Sequence, residues 1–179
     1  MVQALPPRRL ARALTALVLA GLVAAAGHEA LARQRRLGVS NRYPVPTEAS
    51  FDGAFNFCRI AFQTGSFRRG GSWMVDYPRA DVNLSIRLSE LTRTRISRDG
   101  AREPRHFVLQ LTDPSLFRCP FVMMTEPGGL ALGDDEVTRL REYLLKGGFL
   151  WADDFWGESA WANFEHEMRR VLPAPAFDL

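Results

Sequence analysis

Gly147-Gly148-Phe149-Leu150-Trp151-Ala152-Asp153-Asp154-Phe155-Trp156-Gly157 is the stretch on which a reading of the chain turns. Glycine readily takes the left-handed conformation that ends a helix, so Gly147 marks a stop. Residues 149–152 then form a short apolar run expected to be a buried strand. Two carboxylates stand where that run ends. In an open parallel sheet, ligands bind in the crevice beyond the carboxyl ends of the strands, which makes Asp153 and Asp154 the first candidate catalytic residues.

The segments on either side have the period of helices. Upstream, residues 134–146 carry Val137, Leu140 and Leu144 as one stripe, with Gly133 and Glu136 at capping-box spacing and glycine in the hydroxyl slot. Downstream, Ser159 is expected to cap a helix striped by Trp161, Phe164, Met168 and Val171 and closed by Pro173. Further back, residues 56–63 alternate, with Cys58, Ile60 and Phe62 on one face, and form a first strand. Residues 107–111 form a second strand, ended by Thr112-Asp113-Pro114, where proline after a capping residue opens a helical turn. Residues 121–124 form a third, closed by Glu126-Pro127-Gly128-Gly129. Between the first two strands, Asp81 is expected to cap a helix with the stripe Leu84, Leu88 and Leu91, and residues 94–96 suggest a short extra strand. Strands alternating with amphipathic helices imply right-handed crossovers and a mostly parallel sheet with helices on both faces, a three-layer α/β fold.

The chain has 179 residues, enough for one domain and an appendage. Residues 1–32 have the parts of a signal peptide or membrane anchor: Arg8, Arg9 and Arg12, an uncharged run over residues 13–27, and small residues at Ala24-Ala25-Ala26 and Ala30-Leu31-Ala32. A run of that length falls short of the ~20 residues a spanning helix needs, so the expectation is export to the periplasm or beyond. The alternative is an inner-membrane anchor through residues 10–27, the only part expected to touch a membrane. Arg33, Arg35 and Arg36 on the far side leave an anchor's orientation open, and Arg8-Arg9 lacks the rest of a twin-arginine pattern. Residues 33–50 read as a linker and 51–179 as the domain. The formal charge of +3 disappears with the three leader arginines, and a neutral domain has no electrostatic footprint for nucleic acid. Cys58 and Cys119 are expected to be buried free thiols, with pairing in an oxidising compartment as the alternative.

Three successive strands end in acid: Asp113, then Glu126, then Asp153 and Asp154. In a parallel sheet these gather along one edge, together with the long connection over residues 64–80. Each also has a plain structural role open to it: Asp113 as the cap of its turn, Glu126 as a solvated loop residue, the aspartates as acceptors for turn amides. Adjacent side chains on a strand point to opposite faces, so one of Asp153 and Asp154 enters the crevice. Arg68 and Arg69 either clamp a carboxylate or phosphate or pair with Asp76 or Asp81 to hold the loop. Trp151 and Trp161 are expected in the core; Trp73 and Trp156 are expected beside a ligand, where aromatic faces next to carboxylates suit sugar rings. The expected ligand-binding set is Arg68, Arg69, Trp73, Asp76, Glu126 and Trp156. No cofactor or metal is assigned. The histidines, His28, His106 and His166, have no zinc spacing, although an oxygen-ligand cation among the carboxylates stays open.

The blocks Phe55-Asn56-Phe57-Cys58-Arg59, Arg69-Gly70-Gly71-Ser72-Trp73-Met74-Val75-Asp76-Tyr77-Pro78, Leu111-Thr112-Asp113-Pro114, Glu136-Val137, Leu140-Arg141-Glu142-Tyr143-Leu144, and the segments 147–157 and 161–173 occur together along the chain. Together they resemble the family of bacterial domains of unknown function numbered 4159. The resemblance covers roughly residues 55–173. It implies a flavodoxin-like, class I glutamine amidotransferase-like fold in an envelope-associated protein, with no established activity. The amidotransferase-like superfamily places a cysteine at a strand-to-helix elbow, and this chain has Asp153-Asp154-Phe155-Trp156-Gly157 there, so that chemistry is not implied. The family also implies a chain running past Leu179, so the sheet is expected to lack its last strands. The functional expectation is an exported, envelope-associated module binding a polar ligand or a protein partner at the strand ends. The alternative is a hydrolase using Asp153 or Asp154 as general base, with or without a cation.

Overall fold

A computed structural model describes residues 43–65 and 72–172. Residues 41–179 form a compact unit of their own. The expected leader, together with Arg68 and Arg69, lies outside the described residues.

Among the described residues four parallel strands make the sheet: β1 (Phe57–Ile60), β2 (His106–Leu109), β3 (Phe121–Thr125) and β4 (Phe149–Asp153), in the order β2-β1-β3-β4. This is the order of flavodoxin-like doubly wound sheets, with the switch point between β1 and β3. Three helices connect and follow them: α1 (Arg79–Leu91), α2 (Asp134–Leu145) and α3 (Glu158–Val171). Right-handed crossovers that step one way from β1 to β2 and the other way from β3 to β4 set α1 on one face and α2 on the other. The three-layer expectation therefore holds. The central strand β1 is buried on both faces, which is why all four of its residues are inaccessible.

Side chains at alternate positions divide the sheet. Phe57, Arg59, Phe121, Thr125, Phe149 and Trp151 meet one another or α1 on one face. On that face Arg59 and Asp81, both fully buried, form an ion pair: the Arg59 Nε donates to both Asp81 oxygens at 3.0 and 3.1 Å, and Nη2 donates to Oδ1. Asp81 is thus no helix cap. The helix begins at Arg79, and Asp81 sits in its first turn as the counterion of β1.

Three expectations are corrected here. Cys58 and Cys119 are joined by a disulfide, not free; sequence spacing alone does not reveal that the turn before β3 passes over β1. The strand at 149–152 is not buried, because β4 lies at the edge of the sheet that the described residues form: Phe149 is 60% and Trp151 41% exposed. The α1 stripe is also less covered than its period suggests, since Leu91 is 81% exposed and the helix buries Asp81 and Ser85 instead. In addition, residues from Tyr43 onward, expected as linker, are seated on the domain. Tyr43 packs edge-on against Trp73 and Tyr77, and the Pro44 carbonyl accepts a hydrogen bond from the Val108 amide of β2 at 3.0 Å.

Gly148 shows why this turn needs glycine. A Cβ there would overlap the ring of Tyr143, whose hydroxyl donates to the Cys119 carbonyl at 2.8 Å. Gly148→Ala is therefore expected to destabilise the domain by roughly 1–3 kcal/mol through overpacking, read as a lower denaturant midpoint at unchanged slope.

Candidate ligand-binding site

The loops after β1, β3 and β4 meet beside the switch point. Glu126, the residue after β3, is their hub. Its Oε2 accepts the Ser72 amide at 3.2 Å, its Oε1 accepts the Trp156 indole N–H at 3.0 Å, and its own amide donates to the Asp153 carbonyl at 2.8 Å. One side chain thus ties the loop after β1 to the loop after β4.

Around it stand Asp76, Asp153 and Asp154. Desolvation pushes the Asp154 carboxyl above its ordinary value, and the negative charges of Glu126, Asp153 and Asp76 push it further. The four acids therefore share one electrostatic neighbourhood. Asp76, Glu126 and Asp154 also have positive φ, at 57°, 48° and 68°. Among the described residues the only other non-glycine with positive φ is Arg102. The left-handed region is disfavoured for residues other than glycine, mildly for aspartate and more for glutamate. The fold thus holds three like-charged residues together, each in a disfavoured backbone conformation. Local stability alone would not select that arrangement.

Asp153 ends β4, is exposed, and accepts the Asp154 amide at 3.0 Å. Its backbone-satisfying role is real, and Asp154 is the less exposed of the pair. Asp113 does not join the cluster. It follows β2, two strands from β3 and so roughly 10 Å across the sheet, and its Oδ2 accepts the Gln110 amide at 2.7 Å. It stands at the N-cap of the turn at Pro114–Arg118 without donating or accepting a side-chain cap bond there. Burial raises its pKa.

The tryptophans sort differently from expectation. Trp73, expected beside a ligand, is 5% exposed, and its carbonyl accepts from Arg59 Nη1 at 2.9 Å. It belongs to the core because the loop after β1 folds inward over Arg59. Trp161, expected in the core, is 41% exposed and packs edge-on against Phe155. Trp151 is 41% exposed, with Phe121 packed edge-on against one side of its ring. Trp156 is 68% exposed, and its indole N–H donates to Glu126. Asp81 has its partner in Arg59, and the expectations for Arg68 and Arg69 lie outside the described residues.

The residue that sequence reasoning missed is Arg59. Beyond Asp81 it donates to the carbonyls of Trp73 and Val75 at 2.9 and 3.1 Å and to Thr125 Oγ1 at 2.7 Å. It therefore fixes the loop that delivers Ser72 and Asp76 to the site. A lone arginine inside an otherwise apolar strand, Phe57-Cys58-Arg59-Ile60, was the available signal, because such a charge is buried only when paired. Among the described residues no group of three or more His, Cys, Asp or Glu is arranged to hold a metal ion, and no helix is long and apolar enough to cross a membrane.

The fold is a doubly wound α/β domain in which carboxylates and one exposed indole gather beside the switch point. Residues 57–178 match the family model described as "Domain of unknown function (DUF4159)", and the chain belongs to that family. No curated protein matches the chain.

Proposed function

We propose that this domain is an exported, envelope-associated module that binds a polar ligand or protein partner at the carboxyl ends of its strands. The observation that carries the reading is the convergence of Asp76, Glu126 and Asp154 from three separate loops, each with positive φ, beside the exposed Trp156. Carboxylates accept hydrogen bonds and attract cations, and an indole face takes an apolar C–H surface, so a hydroxyl-rich ring suits the pair. Export is supported by the basic, apolar and small-residue order of residues 1–32 and by the disulfide, which persists in oxidising compartments. Kinship with amidotransferase-like folds is supported by the strand order, with acids where that superfamily has its cysteine.

The second reading, a hydrolase with Asp154 as general base, is favoured by the raised pKa of Asp154, the direction a base working near neutrality requires. Glycan fragments titrated by thermal shift and assayed for turnover separate the two. The module predicts saturable binding without turnover, weakened about tenfold or more by Trp156→Ala. Equal affinity in Trp156→Ala and Asp154→Asn would sink it, and turnover abolished by Asp154→Asn would establish the hydrolase.

The stability of Asp154→Asn gives a test that needs no ligand. Asparagine tolerates positive φ and removes the repulsion. Because the folded pKa lies above the ordinary 3.8, ionised Asp154 destabilises the native state, so the variant's advantage is full above the folded pKa and disappears as pH falls through it. The expected result is a Tm above that of the wild type at pH 7, with the two converging in acid as Asp154 takes up its proton. A lower Tm at pH 7 would make Asp154 a structural residue.

A further inference from the structure

Because the described strands are parallel, their amino ends share one edge of the sheet, opposite the acids around Glu126. The chain crosses that amino edge between α1 and β2, over residues 92–105. Five arginines stand there against one aspartate and one glutamate, a net of +3 in a chain that is neutral without its leader. The crossing is firmly placed. The Phe55 amide donates to the Arg95 carbonyl at 2.9 Å and the Ser97 amide to the Phe55 carbonyl at 2.8 Å, so Ile96 and Ser97 are buried beneath it. Asp99 Oδ1 then accepts the amides of Ala101 and Glu103 at 2.9 and 3.0 Å and closes a tight turn. With Ile96 and Ser97 turned inward, Arg93, Arg95, Arg98 and Arg102 are left exposed and Arg105 half-buried.

Among the described residues none of the five forms an ion pair. Arg95 Nη2, Arg98 Nη1 and Arg105 Nη1 donate only to backbone carbonyls, those of Asp52, Arg102 and Ser50, at 3.4, 2.8 and 3.2 Å. The side chains of Arg93 and Arg102 bond to nothing described. Asp52 feels the charge of Arg105, but its oxygens are taken by the Ala54 amide and the Ser97 hydroxyl, each at 3.0 Å. Elsewhere on the surface Arg87, Arg139 and Arg170 each meet a carboxylate. The dipole of α1 accounts for Arg93, two residues past the helix end at Leu91, but acts only within about a turn and so not at Arg98 or Arg102. Cationic charge is thus concentrated on one face and left without a counterion.

We propose that this arginine edge docks on the surface of an anionic phospholipid bilayer. A guanidinium presents a planar fork of donors that fits phosphate oxygens two at a time. Several of them on one stiff loop fit a surface that repeats its phosphates in a plane. Residues 92–105 contain no Phe, Tyr or Trp on which a base could stack, so a single-stranded nucleic acid finds no platform there. Each basic residue near an anionic membrane strengthens binding about fivefold, so a net of +3 gives about a hundredfold. Charge also sets the stance. Strands of four or five residues are about 15 Å long, and the acids at their far ends, repelled by the same surface, face away from it. This adds a membrane contact to the one expected of residues 10–27.

Flotation of the full chain with phosphatidylcholine vesicles, with and without about one-third phosphatidylglycerol, tests this. The N-terminal arginines are present in every sample, so the variants carry the reading. Arg102→Glu, checked by circular dichroism for retained fold, is expected to bind the anionic vesicles at least about fivefold more weakly than the wild type at low salt, the gap closing near ~0.5 M salt. Arg79→Glu makes the same change of charge at the other end of α1 and is expected to alter binding less than about twofold. Equal binding by the wild type and both variants overturns the proposal, as does an equal loss in both, which would report net charge and not a face. Displacement by glycerol phosphate at matched ionic strength would make the ligand a single phosphate. A duplex oligonucleotide that binds more tightly than the vesicles and is released by Arg102→Glu would make it nucleic acid, and either result overturns the bilayer. None of these readouts involves the acidic crevice, so this inference and the proposed function stand or fall apart.

Discussion

Arg59→Met is expected to cost about 3–5 kcal/mol, the range for removing one partner of a buried ion pair, and so to take a large part of a domain's ordinary 5–15 kcal/mol. Asp81 has no accessible surface, and burial already pushes its carboxyl up; the Arg59 guanidinium is the chief influence pulling it back. Without Arg59 the carboxyl is left as an uncompensated charge, and the carbonyls of Trp73 and Val75 and the hydroxyl of Thr125 lose their donor. The sign of the pH dependence follows. A further raised folded pKa means that the charged form is the costly one, so the deficit of Arg59→Met is greatest at neutral pH and shrinks as Asp81 takes up a proton in acid. Denaturant melts at pH 7 and pH 4.5 check this. The double variant Arg59→Met/Asp81→Leu should recover part of the loss, because it removes both charges but leaves the two carbonyls orphaned. A single variant as stable as the wild type at pH 7 would mean that the pair does not hold the loop after β1, and with it the placement of Ser72 and Asp76.

The second large effect belongs to the disulfide. Cys58 and Cys119 are 61 residues apart in sequence, and chain-entropy arguments assign closure of a loop that long about 4 kcal/mol. Cys58→Ala/Cys119→Ala is expected to lose about that amount, with a further contribution where alanine leaves a fully buried site underfilled. Equilibrium unfolding of wild type and variant, both without reductant, measures it. The wild type with reductant should approach the variant only after unfolding, since both sulfurs are buried. A loss under 1 kcal/mol would show that the link restrains little of the denatured chain.

Periodicity made most of the elements legible. Strands at 57–60, 106–109 and 121–125 and helices at 134–145 and 158–171 fall within a few residues of where apolar spacing and glycine stops put them. The burial of those elements was less legible. Residues 149–152 look buried because an uncovered edge strand and an interior one share the same composition, and only the sheet order separates them. Trp73 and Trp161 exchanged expected places for a related reason: an indole in a glycine-rich loop reads as exposed and one on a helical stripe as buried, and neither signal knows what packs beside it. In the site, Glu126, Asp153, Asp154 and Trp156 were legible from their positions after strands. Asp113 looked equivalent but ends the strand on the far side of β1.

The sequence by itself determined the alternation of strands and helices, the parallel direction that follows from it, and the edge at which the acids of β3 and β4 must emerge, because these depend on local spacing and on the handedness of crossovers. Only the tertiary structure decided the order of strands, the pairing of Cys58 with Cys119, the burial of Arg59 against Asp81 and the place of β4 at the end of the described sheet. Each of these joins or separates residues far apart in the chain, and the energy that selects them comes from long-range packing and desolvation, which no local pattern of side chains encodes.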